Sequence, residues 1–243
     1  MKFMPDSAMV LAAGLGTRMR PLTNDMPKPL IPVAGKALMD YALDRFAAAG
    51  VSRAIVNVHY LAGQVEAHVA QRTAPDIVIS DEREQLLETG GGLKKARNLF
   101  RGGSIFCTNT DAIMIDGDGR DACGALADLW SGARMDALLL LVPIARASGY
   151  DGRGDFDIAA DGQINYRKGD AAALVFTGLQ IISTALIDEG PDGAFSTRVL
   201  WDRAAARGRL FGAVYEGDWL HVGDPEGLAL AEARLSLPPG TPR

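Results

Sequence analysis

Residues 8–29 read AMVLAAGLGTRMRPLTNDMPKP, and this stretch decides the fold. Its first six residues are apolar throughout and run straight into glycines. A short, fully apolar run bounded by a turn signal predicts a strand buried on both faces. The turn is Gly14-Leu15-Gly16-Thr17. Glycines there allow close backbone approach, and successive N–H groups can cradle phosphate oxygens. Arg18 and Arg20 follow at once, and Lys28 comes after a segment bracketed by Pro21, Pro27 and Pro29. An arginine offers phosphate a planar fork, a lysine a mobile point charge. A tight turn with solvated cations would also account for a bare Gly-x-Gly. Three cations placed directly after a buried strand favour a phosphate site. Two other phosphate motifs are excluded: a P-loop would end in Gly-Lys-Ser/Thr, and the dinucleotide fingerprint needs a third glycine where Met19 stands.

Outward from this segment, short apolar runs alternate with amphipathic ones. Residues 37–49 carry Leu38, Tyr41, Leu43 and Phe46 near helical spacing, and Gly50 follows as a stop. Strands are expected at 53–59, 76–80, 104–109, 136–142, 173–182 and 210–215. Helices are expected at 61–71, 93–100, 122–131, 196–207 and after Pro225. Residues 149–170, rich in Gly and Asp, read as a hairpin turning at Asp161-Gly162 and Gly169-Asp170. Strands separated by helices imply βαβ units. The expected fold is therefore α/β, a three-layer α/β/α sandwich around a mostly parallel, Rossmann-like mixed sheet. No linker or repeat interrupts it, so residues 1–243 read as one domain, and the tail 236–243 (SLPPGTPR) reads as disordered.

In such sheets ligands bind beyond the carboxyl ends of the strands. Residues 14–20, 80–92 and 109–111, all polar or glycine-rich, fall at those ends. Asp111 closes a strand-like run there. An Asx turn would explain it alone; its place at the carboxyl edge also suits a Mg²⁺ ligand, since Mg²⁺ takes few carboxylates and completes its shell with phosphates and water.

Bulk properties exclude several classes. The net charge of −5 disfavours nucleic acid as the main ligand. The opening MKFMPDSAMVLAAG lacks a full-length apolar core and cleavage site, and the run 137–144 falls far short of the roughly 20 residues a membrane span needs. A cytoplasmic protein with no membrane partner is expected. Cys107 and Cys123 have no metal-type spacing and read as buried free thiols. His59 and His68 read as surface or strand-end residues, Trp130 and Trp201 as core, and Trp219 as a wall beneath the site. Monomer and dimer both remain open.

The segment LAAGLGTRMRPLT…PKP resembles the signature of the sugar-phosphate nucleotidyltransferases, as do Glu88-Thr89-Gly90-Gly91-Gly92, Asn109-Thr110-Asp111, Phe176-Thr177-Gly178 and Trp219-Leu220-His221-Val222-Gly223. The resemblance covers nearly the whole chain and is strongest to short members that act on N-acetylmuramic acid 1-phosphate in peptidoglycan recycling. It implies a nucleotide-diphospho-sugar transferase type of fold, with a nucleotide-binding part over about 1–110 and a sugar-binding part over about 111–235. It implies UTP and a sugar 1-phosphate as partners, Mg²⁺ as cofactor, and pyrophosphate as a product. The nucleotide is expected at Leu11, Ala12, Gly14, Gly16, Thr17, Arg18, Glu82 and Gly90. The sugar is expected at Glu88, Gly90, Asn109, Asp155, Thr177 and Gly178. Arg18, Lys28 and Asp111 are the expected catalytic residues.

One position departs from the pattern. Family members usually carry a second Asp where His221 stands. Asp111 alone holds the metal with the phosphates, or Asp224 or Asp218 replaces the missing carboxylate, or His221 ligates a softer ion. The alternatives are a mannose 1-phosphate guanylyltransferase, a glucose 1-phosphate uridylyl- or thymidylyltransferase, and a non-catalytic sugar-nucleotide sensor.

Overall fold

The computed structural model describes residues 3–117 and 121–238. In chain order, strand β1 (Ser7–Leu11) leads through two 3₁₀ turns, Thr17–Met19 and Lys28–Leu30, to the short strands β2 (Pro32–Val33) and β3 (Lys36–Ala37). Helix α1 (Leu38–Ala48), β4 (Arg53–Val58), α2 (Ala62–Val69), β5 (Asp76–Asp81), α3 (Glu88–Lys95) and β6 (Ser104–Asn109) follow. Then come β7 (Ala112–Ile115), α4 (Ala122–Leu129), β8 (Ala137–Pro143), β9 (Ala147–Ser148), the hairpin of β10 (Phe156–Ile158) and β11 (Ile164–Tyr166), and β12 (Leu174–Ser183). The chain closes with α5 (Thr184–Asp188), α6 (Arg198–Ala206), β13 (Leu210–Val214), β14 (Asp218–His221) and α7 (Pro225–Leu235).

The main sheet is mixed. Strands β5, β4, β1 and β6 lie side by side and parallel. The long β12 runs antiparallel between β6 and β8, and β13 pairs parallel with β8. The β10–β11 hairpin hangs from the start of β12.

Side chains alternate across the sheet, as the period of two requires. Ala8 and Val10 pack with Met39, Leu43 and Phe46 of α1 and with α2 and α4. Met9 and Ile55 pack on the other face with Leu93 of α3, Leu186 of α5 and Leu200 of α6. Both faces are therefore covered, which is why the middle of β1 is apolar at successive positions. The two thiols are free and buried in this packing, and burial pushes each up to about 12. Among the described residues, no helix is long and apolar enough to cross a membrane. Residues 239–243 of the expected disordered tail lie outside the described residues.

Two differences from expectation bear on the site. A second, three-stranded sheet of β7, β14 and β9 forms at the carboxyl edge. Its strands have two to four residues, too few to show a period. The helix expected from residue 93 begins at Glu88 instead, so Gly90, Gly91 and Gly92 are helical. Glycine is a poor helix former, which is why these residues read as a loop. Packing demands them nonetheless. A Cβ on Gly90 would lie 2.4 Å from the Phe195 ring, one on Gly91 2.4 Å from the Gly193 carbonyl oxygen, and one on Gly92 2.8 Å from Glu82 Oε1. The amides of Gly90 and Gly91 both donate to the Phe195 carbonyl, at 2.8 and 3.0 Å.

Propensity and packing therefore make opposite predictions for Gly91→Ala. Helix propensity alone would favour alanine by about 1 kcal/mol; overpacking should win and destabilise the chain by about 2 kcal/mol. Chemical denaturation reads the sign, and a stabilised variant would contradict this packing.

Candidate functional site at the carboxyl edge of the sheet

The site begins where β1 stops pairing. Its last partners are Val56 on β4 and Asn109 on β6. The next amide, Ala12 N–H, donates to the Asn57 side chain at 2.7 Å. Asn57 Nδ2 in turn donates to Glu82 Oε1 at 2.8 Å, and Glu82 Oε2 accepts from the Leu87 amide at 3.2 Å. Glu82 is fully buried. One chain of hydrogen bonds thus joins the tip of β1, β4 and the approach to α3.

Beyond Ala12 the chain bends at Gly16, whose φ is +63°. That left-handed conformation favours glycine, and a Cβ there would lie 3.0 Å from both Lys28 Cβ and Thr23 Cγ2. The Thr23 hydroxyl donates to the Gly16 carbonyl at 2.8 Å, and the Tyr60 hydroxyl donates to the carbonyls of Thr23 and Asn24. Met19, which stands where a dinucleotide loop would have glycine, is wholly buried with Ile31, Leu38 and Ile113. The loop is therefore anchored on the side away from its open face. Nothing lies within 4 Å of a Cβ built on Gly14.

This open face forms one wall of a cleft of about 340 Å³. Leu11, Gly14, Gly16, Thr17, Arg18 and Lys28 line it, together with Glu88, Asn109 and Asp111. Lys28 Nζ lies 3.4 Å from Asp111 Oδ2. Burial holds the Lys28 ammonium below its ordinary value of 10.5; the neighbouring Asp111 carboxylate opposes that shift and the Arg18 guanidinium adds to it. The lysine is thus a partly desolvated cation whose own charge is under-compensated, a setting that favours an incoming anion.

His221 comes to the same place from the far end of the chain. Strand β14 pairs antiparallel with β7, so His221 lies opposite Ala112, and the Val222 amide donates to the Asp111 carbonyl at 2.8 Å. The imidazole stacks on Trp219, with centroids 5.3 Å apart and planes 13° apart. Its Nδ1 faces the Gly149 carbonyl oxygen at 3.1 Å. A carbonyl can only accept, so Nδ1 carries the proton. The other ring nitrogen, Nε2, lies 3.9 Å from Asp111 Oδ2. Trp219 is buried beneath, its Nε1–H donating to the Thr177 carbonyl at 2.9 Å.

Not every expected residue faces the cleft. Glu82, expected at the nucleotide, lies beneath it as the buried acceptor described above. Ala12 is buried and its amide is engaged by Asn57. Gly90 packs on Phe195 instead of facing the cleft, whereas its neighbours Glu88 and Thr89 do line it. The Thr177 hydroxyl is buried and donates to the Leu140 carbonyl at 3.0 Å. Gly178, at φ +93°, abuts Asn109. Asp155 Oδ2 accepts from the Phe176 amide at 2.9 Å, and the residue lines a separate cavity. Asp224 caps α7, its Oδ1 accepting from the Gly227 amide at 2.9 Å. Asp218 pairs with Arg234 at 3.2 Å, three residues along β14 from His221. His59 is bound through Nδ1 to the Glu82 carbonyl, and His68 pairs with Asp40. Asn57 lines the cleft and was not anticipated, whereas Thr89 belongs to the run 88–92 read from the sequence. The one signal for Asn57 was a polar residue between the apolar positions 54–56 and 58 of the strand.

A sequence model of the nucleotidyl transferase family matches residues 7–152. The chain belongs to this family. This nucleotidyl transferase is 51% identical over 237 residues to the N-acetylmuramate alpha-1-phosphate uridylyltransferase of Caulobacter vibrioides, covering 96% of this chain and 98% of that protein. It is 32% identical to the Neisseria meningitidis protein of the same name, covering 89% and 92%. Among solved structures, UDP-glucose pyrophosphorylase from Acinetobacter baumanii superposes on this nucleotidyl transferase with a TM-score of 0.80 at 15% identity, covering 96% of this chain and 94% of that one. At that identity the likeness is one of fold.

Removing the Asn57 amide strips partners from two buried groups at once. Asn57→Ala should cost on the order of 3 kcal/mol, since hydrogen bonds to ionisable groups and unsatisfied buried groups both lie at the high end of the scale. Equilibrium unfolding in urea measures it; a loss below about 0.5 kcal/mol, the range of an ordinary surface substitution, would contradict the clamp.

Proposed function

We propose that this nucleotidyl transferase joins UTP to a sugar 1-phosphate, giving a UDP-sugar and pyrophosphate, and that the sugar is N-acetylmuramic acid. The observation that carries the proposal is the meeting of Arg18, Lys28 and Asp111 in one cleft at the tip of β1. The likeness to N-acetylmuramate alpha-1-phosphate uridylyltransferase over nearly the whole chain supports the choice of base and sugar.

The chemistry asks little of side chains as acids or bases. An ionised oxygen of the sugar phosphate attacks the α-phosphorus of UTP. The new O–P bond forms as the bond between the α-phosphorus and the bridging oxygen breaks, and pyrophosphate leaves with that electron pair. The demands are to hold two polyanions in line and to screen their repulsion. The anchored loop 14–18 presents its backbone to the triphosphate, and Arg18 and Lys28 supply positive charge where it develops in the transition state. We assign the sugar to the part of the cleft lined by Glu88 and Asn109.

We assign Mg²⁺ as cofactor. Among the described residues there is no cluster of three or more His, Cys, Asp or Glu that could hold an ion. Beside Lys28 the donors are the Asp111 carboxylate and, 3.9 Å from its Oδ2, His221 Nε2; Glu88 is the other carboxylate that lines the cleft. That set suits an ion which takes most of its oxygens from phosphates and water. Such an ion would supply further positive charge between the two phosphate groups. Asp224, engaged as a helix cap, acts on Lys28 through its charge. We place the reaction in the cytoplasm, where UTP is available, as a step of peptidoglycan recycling.

A matrix of nucleoside triphosphates against sugar 1-phosphates, read as pyrophosphate released, tests the function. The highest kcat/KM should fall at UTP with N-acetylmuramic acid 1-phosphate. Preference for another pair would refute the substrate assignment, and tight binding without turnover under any divalent metal would refute the enzyme. Lys28→Ala and Asp111→Ala should each lower kcat a hundredfold or more, about 3 kcal/mol in the barrier; a near-wild-type rate would exclude that residue from the mechanism. His221→Asp should keep or raise Mg²⁺-dependent activity and tighten Mg²⁺ binding in a direct titration, because a hard ion prefers oxygen; abolished activity would mean that the imidazole is specifically required.

The pH dependence follows from Lys28. Its lowered pKa means that the free chain loses this cation at a lower pH than an ordinary lysine would. UTP affinity should fall as pH rises, starting below 10.5, and Lys28→Arg should remove that limb. An unchanged profile in the variant would assign the limb to another group.

A further inference from the structure

A second cavity of about 320 Å³ lies beside the cleft. Asp155, Tyr166, Arg167, Phe176, Arg198 and Trp201 line it. Two links fix its position. Phe176 stands two residues before Gly178 on β12, roughly 7 Å along a strand, and Gly178 abuts Asn109 of the cleft. On the other side the Thr197 amide donates to Thr89 Oγ1 at 2.8 Å; Thr89 lines the cleft and the next residue after Thr197, Arg198, lines the cavity. The cavity is separate from the cleft, with no lining residue in common, and these two links set it next to Asn109 and Thr89 of the cleft.

Its walls are of two kinds. Trp201 meets Phe176 edge to face at 4.9 Å and is pinned by a hydrogen bond from Nε1 to Gln180 Oε1 at 2.8 Å. The Arg198 guanidinium lies 4.3 Å over the Tyr166 ring. Stacking orients a guanidinium while leaving its edge N–H groups open to a planar anion. The ion pair of Arg198 with Asp202 is long, 4.0 Å, and both side chains are more than half exposed, so it competes weakly. Arg167 adds a second cation. The opposing carboxylate, Asp155, already accepts from the Phe176 amide. Two guanidiniums against one engaged carboxylate leave the lining net positive.

We propose that this cavity is the subsite for an acidic substituent on the sugar: Arg198 and Arg167 take its carboxylate, and Phe176 and Trp201 pack against its aliphatic arm. The inference rests on the sugar proposed above. A muramyl sugar differs from a glucosaminyl one by a carboxyethyl ether, a short apolar arm that ends in a carboxylate. Those are the two chemistries that the cavity offers. Arg198 and Arg167 then determine specificity between sugars and stay apart from the reacting phosphates.

The test compares N-acetylmuramic acid 1-phosphate, its lactyl methyl ester and N-acetylglucosamine 1-phosphate, each with UTP, on the full chain. Arg198→Gln and Arg167→Gln should lower the muramyl-over-glucosaminyl ratio of kcat/KM tenfold or more, chiefly through KM for the muramyl sugar. Arg198→Lys should recover part of the ratio. On the wild-type chain the ester should lose a comparable share of the preference, a result that depends on no variant's folding. A wild-type chain that uses acid and ester equally well, or folded Gln variants with the wild-type ratio, would overturn the subsite while leaving the uridylyl transfer standing. A wild-type chain that does not use the muramyl substrate at all would overturn both.

Discussion

The hydrogen bond from the Ala12 amide to Asn57 marks where a strand becomes a binding loop. A backbone amide at the end of a buried strand must find a partner, and the next sheet neighbour no longer offers one. Asn57 supplies its carbonyl, Glu82 orients Asn57, and Glu82 at the same time receives the Leu87 amide before α3. Because this clamp lies inside the protein, the residues after Ala12 are released from the sheet in a defined direction. Thr23 and Met19 then hold the back of the loop, which leaves the backbone of residues 14–18 facing the cleft.

The electrostatics of the cleft follow from that placement. Lys28 is carried in on a 3₁₀ turn between prolines and is largely buried, so its charge is poorly solvated and only partly met by Asp111. The small sheet of β7, β14 and β9 brings residue 221 against residue 111, which are 110 positions apart in the chain. Trp219 below and the Gly149 carbonyl at Nδ1 leave the imidazole little freedom.

Much of this was legible in the sequence, and the physical reasons differ by residue. Strand β1 and its Gly-x-Gly-Thr-Arg tip carry local signals: an apolar run, a turn and adjacent cations. The layers of the sandwich follow from alternating periods of two and about four. Asn57 and Glu82 were opaque because their value lies in each other, 25 residues apart. The start of α3 was misplaced because Gly90, Gly91 and Gly92 obey packing against Phe195, Gly193 and Glu82 in preference to helix propensity. Strands β7, β9 and β14 were missed because two to four residues show no period. Ala12, Thr177 and Gly90 were expected at ligands, yet they face inward; a motif names a neighbourhood, and only the fold decides which side of the backbone looks out.

The central claim is that the loop held by the Asn57 clamp receives the triphosphate against Lys28 and Asp111. A crystal structure with bound UTP tests it most directly. The account predicts triphosphate oxygens at hydrogen-bond distance, about 3 Å, from the backbone of residues 14–18 and from Lys28, with Asp111 at the same phosphates. A nucleotide bound elsewhere, with the β1 tip facing only solvent, would contradict it.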